Sequence, residues 1–218
     1  MLEFFGDITV LASPYGFWCL ELMTFIWLYA GIYILYMASA HLSQDVEDKT
    51  IDLSLSKPVT RNNYLGSKIA FLYVFIMASI GIFILISMGS MAGSPTFRDY
   101  GLYFDRLWVT YFAIVLYLAA FAMVAIFSST IFLSTQKSMA LSVMVLFLMF
   151  FLGEFYIYMD ESIQGIKYVS IFYYFNPIDY ILHEDYNIFV RDIVHLASVN
   201  VILIIASLYV FNKKDIPN

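Results

Sequence analysis

The sequence predicts an all-α membrane protein, a polytopic helical bundle with about five spans, and three observations predict it. First, 62% of the 218 residues are hydrophobic and 13% are charged; soluble domains average about 45–50% apolar and about 25% charged. A soluble fold of this size leaves too much surface in water to hide so much apolar area. Second, the apolar residues collect in five runs, each near the length of about 20 residues that crosses a bilayer. Third, the runs are apolar all round, as in Val143–Leu152, and lack the alternation of barrel strands. The same composition excludes other classes. Cys19 is the single cysteine, so no internal disulfide scaffold exists. A net charge of -6 disfavours a nucleic-acid partner.

The spans are expected at Phe17–Ala40, Ile69–Met91, Leu107–Leu133, Ser138–Met159 and Ile193–Phe211, within a single transmembrane domain covering 1–218. No Lys or Arg occurs in the first 16 residues, and the first apolar run is too long for a signal peptide, so a cleaved signal is not expected. Span one carries Glu21 and span four carries Glu154. Between spans one and two lies the sizeable polar segment 41–68. The turn between spans three and four is Thr135–Ser138. Before span five comes 165–191, rich in aromatic residues and broken at Asn176-Pro177. Aromatic side chains favour the membrane interface. Two short helices at, or dipping back from, one face are expected there.

Charge sets the orientation. Cytoplasmic flanks of spans are enriched in Lys and Arg. One side of the five-span arrangement holds seven of them: Lys49, Lys57, Arg61, Lys68, Lys137, Lys213 and Lys214. The other side holds Arg98, Arg106, Lys167 and Arg191, together with most of the acids. The N-terminus is therefore expected outside, the C-terminus in the cytoplasm, and the chain in the cytoplasmic membrane.

The cytoplasmic segment 41–68 opens with Asp45, Glu47 and Asp48 and reaches Lys57-Pro58. Acids at a helix start and Lys before Pro at its end suit a short helix, and Val46, Thr50, Leu53 and Lys57 fall at helical spacing. Pro58 sets a bend. Thr60 or Asn62 can cap the next helix. From charge alone this is either a solvated loop or a docking element.

The order of Glu47, Thr50, Leu53, Leu55, Ser56, Pro58, Val59, Arg61, Gly66 and Lys68, entering a span, resembles the permease subunit of ATP-binding-cassette type-2 transporters. The ending Phe211-Asn-Lys-Lys-Asp215 is similar to the family's as well. Many members have Gly before the Thr, where this chain has Lys49. The resemblance implies a coupling helix docked on a cytoplasmic ABC ATPase through Glu47, Asp48, Thr50, Leu53, Leu55, Pro58 and Arg61. It implies an exporter built as a homodimer or heterodimer of permeases, with ATP and Mg bound by the partner subunit and no cofactor in this chain. Family members usually have six spans, one of them before the span that leads into the coupling segment, and that first span is expected to be missing from this sequence.

Motifs for independent chemistry are absent. Gly66-Ser-Lys68 lacks the upstream Gly and following Ser or Thr of a phosphate loop. His41, His183 and His195 are dispersed, and no nucleophile–base arrangement or metal-ligand cluster is visible. Glu21 and Glu154 sit within about a turn or two of the outer interface. There they snorkel outward or bond a neighbour, or they form a polar site or gate in a pathway. Gly89–Gly93 fits the G-x-x-x-G helix-packing pattern. The eleven methionines suit Cu(I) in principle, but they are scattered and read as packing. Besides a transporter permease, the composition admits a membrane anchor without transport and an intramembrane enzyme.

Overall fold

The computed structural model describes residues 10, 12–50 and 60–214. Among these residues every regular element is helical. Helix α1 (Pro14–Glu47) starts with Pro14 in its first turn and Ser13 as cap, whose Oγ accepts from the Gly16 N–H at 3.0 Å. It widens into π turns at Cys19–Met23 and Trp27–Gly31. Gly31 is needed because an added Cβ would lie 2.9 Å from the Phe121 ring. Helix α2 (Arg61–Gly93) is capped by Thr60, whose Oγ1 accepts from the Asn63 N–H at 3.2 Å. The short α3 (Pro95–Tyr100) stops at Gly101, where φ is 114°.

Helix α4 (Phe104–Phe132) ends in a left-handed Leu133, and α5 (Thr135–Glu154) follows at once. Short 3-10 segments at Gln164–Val169 and Phe172–Tyr174 lead to α6 (Pro177–Ile181). Helix α7 (Tyr186–Lys213) is capped by Asp185, whose carboxylate accepts from the Asn187 and Ile188 N–H groups.

Helices α1, α2, α4, α5 and α7 are the long apolar ones, so five spans are present among the described residues. Their ends differ from those expected. Four helices start or finish beyond the apolar runs: α1 reaches Glu47, α2 begins at Arg61, α4 begins at Phe104, and α7 begins at Tyr186 and ends at Lys213. Hydropathy measures what lipid tolerates, whereas helical hydrogen bonding continues into the interface. The opposite holds for α5, which ends at Glu154 rather than Met159 because the aromatic residues beyond it turn aside. Thr135–Ser138 is the first turn of α5, and the connection itself is Leu133-Ser134.

Helix α4 is the central post. Of its most apolar 18-residue stretch 78% is buried, against 17% for α7. Small side chains make this possible. Ala119, Ala120, Ala122, Ala125 and Ser129 on α4 are fully buried and let neighbouring backbones come close. Ser129 Oγ donates to Ser39 O at 2.9 Å, tying α4 to α1. A second tie crosses the bundle interior. Tyr73 Oη of α2 donates to Asn200 Oδ1 of α7 at 2.7 Å, and Asn200 Nδ2 donates to Leu116 O of α4 at 3.0 Å. Gly89 and Gly93 have open space where a Cβ would stand, so that G-x-x-x-G pair packs on nothing within the described chain.

Candidate functional site

Helix ends determine the geometry at the basic end of the bundle. Helix α1 finishes in a Schellman motif: the Thr50 N–H donates to Asp45 O at 2.9 Å and the Lys49 N–H to Val46 O at 3.1 Å. This closure needs a left-handed residue, and Lys49 has φ 57°. A glycine at this position would meet the same backbone demand without a Cβ penalty. The helix expected to run from Asp45 through Thr50 is therefore interrupted at Asp48. Leu53, Leu55 and Pro58 lie outside the described residues.

The two flanks of segment 48–60 are bolted to the bundle. Asp45 pairs with Lys68 at 2.5 Å, accepts from the Tyr64 hydroxyl, and so holds the last turns of α1 against the first turns of α2. Lys68 Nζ also donates to His41 O at 2.5 Å. Glu47 reaches sideways. Its carboxylate accepts from Thr135 N at 3.0 Å and from Thr135 Oγ1 at 2.8 Å. It thereby caps α5 from another helix, placing negative charge where unpaired N–H groups point outward.

Arg61 does the complementary work at a helix C-terminus. Its guanidinium donates to Lys214 O at 2.7 Å and Phe211 O at 3.4 Å, at the end of α7. Asn212 bonds Asn62 nearby. Lys214 Nζ then donates to Ile131 O of α4 at 2.6 Å. Through these contacts the basic ends of all five spans are joined to one another. Glu47 and Arg61, expected from the sequence as contact residues, also bond within the chain, Glu47 while remaining exposed. Asp48 and Thr50 are exposed.

At the acidic end the segment before α7 folds into the bundle. Ser170 Oγ donates to Met149 O at 2.5 Å. Phe172 is buried among Trp27, Tyr117, Phe121 and Phe150. The anchor is Asp192, fully buried on α7. It accepts from Tyr180 Oη at 2.6 Å, Asn176 Nδ2 at 2.8 Å and Arg191 Nε at 2.8 Å. Burial, with the Asp192 carboxylate beside it, pushes the Tyr180 phenol well above its ordinary value, so it stays a donor. Arg106 donates to Ile181 O at 2.8 Å and pairs with Glu184.

The two membrane acids are not joined by any described contact. Glu21 is exposed on α1; Glu154, half-buried, is the last residue of α5, beside the point where Gly153 meets Ser170 and Phe172. The residues that sequence reasoning missed are Asp192, Asn200, Thr135 and Lys214. Asp192 and Asn200 had a signal, being polar residues in or beside an apolar run. Thr135 and Lys214 act through partners remote in sequence. Among the described residues no group of His, Cys, Asp and Glu could hold a metal.

The family model described as ABC-2 family transporter protein matches residues 9–216. No curated protein and no solved structure matches.

Proposed function

The chain belongs to the ABC-2 transporter family, and we propose that it is the permease of an ATP-driven exporter in the cytoplasmic membrane, worked by a separate ABC ATPase. The N-terminus is outside and the C-terminus inside. Two permeases, identical or related, form the pathway, and ATP and Mg reside in the partner subunits. Segment 41–68 is the coupling element, and 165–191 is a cap at the outer face.

The observation that carries this reading is the bolted ring at the basic end. A lever works only if its ends are fixed to what it moves. Glu47 and Arg61 fix the flanks of the segment to α5 and α7. The faces left for the ATPase are Asp48, Thr50 and the stretch holding Leu53, Leu55 and Pro58. Contact and transmission are thus assigned to different residues, and that division is testable. In the reconstituted complex Leu53→Arg is expected to abolish copurification with the ATPase. Glu47→Ala is expected to keep copurification while lowering transport per ATP hydrolysed. If the intact permease captures no ATPase, the transport reading falls and a membrane anchor replaces it.

A further inference from the structure

Helices α5 and α7 both pack on α4 and share little contact with each other. The gap between them is a cavity of about 350 Å³. Its floor includes Val124 of α4, its walls Val145 of α5 and Leu203 of α7, and its roof Ile171 of the segment folded in from the acidic end. Ile202 and Val169 also line it, yet they are 64% and 60% exposed, so the cavity opens sideways, towards lipid.

The lining excludes a polar occupant. Among the described residues the only hydroxyls lining it, Ser128 and Ser142, already donate to carbonyls of their own helices, Val124 O at 2.8 Å and Ser138 O at 2.7 Å. A water here would lack the two to four partners that hold buried water, whereas apolar cavities of roughly 150 Å³ accept a benzene ring. The apolar species that a bilayer presents at a lateral mouth is an acyl chain.

Charge adds a second constraint. Both walls end in a cation at the basic end: Lys137 lies one turn before Leu141 on α5, and Lys213 lies about three turns beyond Ile202 on α7. That is roughly 16 Å along the helix, close to half of a hydrocarbon core of about 30 Å. Both lysines are exposed and neither joins an ion pair among the described residues. We propose that the cavity holds one acyl chain of a phospholipid from the leaflet at the basic end, with the lipid phosphate at Lys137 and Lys213. The chain fills the gap between α5 and α7 and completes the packing around α4. This lipid site does not depend on the coupling assignment.

The test uses the full chain in nanodiscs of phosphatidylglycerol and phosphatidylethanolamine, transferred to mild detergent, with retained lipid counted by native mass spectrometry. One retained phospholipid per chain is expected. Ile202→Trp, at the exposed mouth where folding is undisturbed, is expected to lose it, as is the deeper Val145→Trp. Val201→Trp, on the exposed face turned away from the cavity, keeps it. Lys137→Ala with Lys213→Ala is expected to abolish the preference for the anionic lipid. Three results would each overturn the proposal: no lipid on the unmodified chain, equal retention by Ile202→Trp and Val201→Trp, or a disulfide between two Ile202→Cys chains showing that a second copy fills the groove.

Discussion

Lys49 shows how one residue records the demands of the turn it occupies. With φ at 57° it sits where a side chain costs roughly 1–2 kcal/mol over glycine. Part of that gain is offset by the extra freedom glycine has when unfolded. Lys49→Gly is therefore expected to stabilise the chain by up to about 1 kcal/mol, and β-branched Lys49→Val to destabilise it, both read from thermal unfolding in detergent. Asp192 carries a larger stake. Its removal strands the buried Tyr180 hydroxyl and takes one acceptor from half-buried Asn176, and a stranded buried group costs about 1–3 kcal/mol. Asp192→Ala should lose about 2 kcal/mol or more, while Asp192→Asn, which keeps an acceptor, should lose less. Tyr180 adds a pH signature. Its phenol is raised on folding, so its contribution is complete below its ordinary pKa of about 10 and fades as pH climbs through the folded value. In Tyr180→Phe that alkaline component should be missing from the stability profile. Asp192 stands one residue before the apolar run of α7, where the sequence shows a lone acid and nothing of its three donors.

At the scale of elements, the helix ends do work that their own sequences leave undone. Ser134 makes no side-chain capping bond to α5, and Glu47 supplies the cap from α1. Glu47→Ala should cost about 1 kcal/mol, the usual worth of a cap, and Glu47→Gln less. Hydrogen exchange at the first turn of α5 measures the loss directly. The folded-in segment depends on a different device. At Gly153 a Cβ would lie 2.5 Å from Ser170 Oγ and 2.8 Å from Phe172 Cβ. Gly153→Val should push this segment outward. A cysteine placed at Ser170, fully buried here, should then react with a membrane-impermeant thiol reagent. The sequence marked 165–191 as unusual through its aromatic density and Asn176-Pro177. It did not mark Gly153, whose importance comes from the side chains of Ser170 and Phe172 on the far side of a chain reversal.

Across the whole molecule, charge asymmetry makes the orientation testable. A fluorescent reporter that matures only in the cytoplasm, fused after Asn218, is expected to glow; a dark but full-length fusion would reverse the topology. Transport itself tests the acid at the end of α5. If Glu154 lines a gate, Glu154→Gln impairs export without lowering the amount of assembled protein, and unchanged transport in the reconstituted complex rules that role out. The order of spans around α4 was not legible in hydropathy, since every span is apolar enough to face lipid. It follows from side-chain size: the Ala and Ser residues of α4 admit four neighbours, and the bulkier α7 keeps most of its surface outside.

The sequence by itself determined the solvent, the helical class, the five spans and the family, because those depend on composition, run length and local order. Only the tertiary structure decided which helix is central, where α5 stops, and that Glu47 and Arg61 bond to other helices of the chain. The physical reason is distance along the chain. Glu47 finds Thr135 across 88 positions, and Arg61 finds Lys214 across 153. No local pattern encodes such a pairing, because it exists only once packing has brought the ends of the spans to one level.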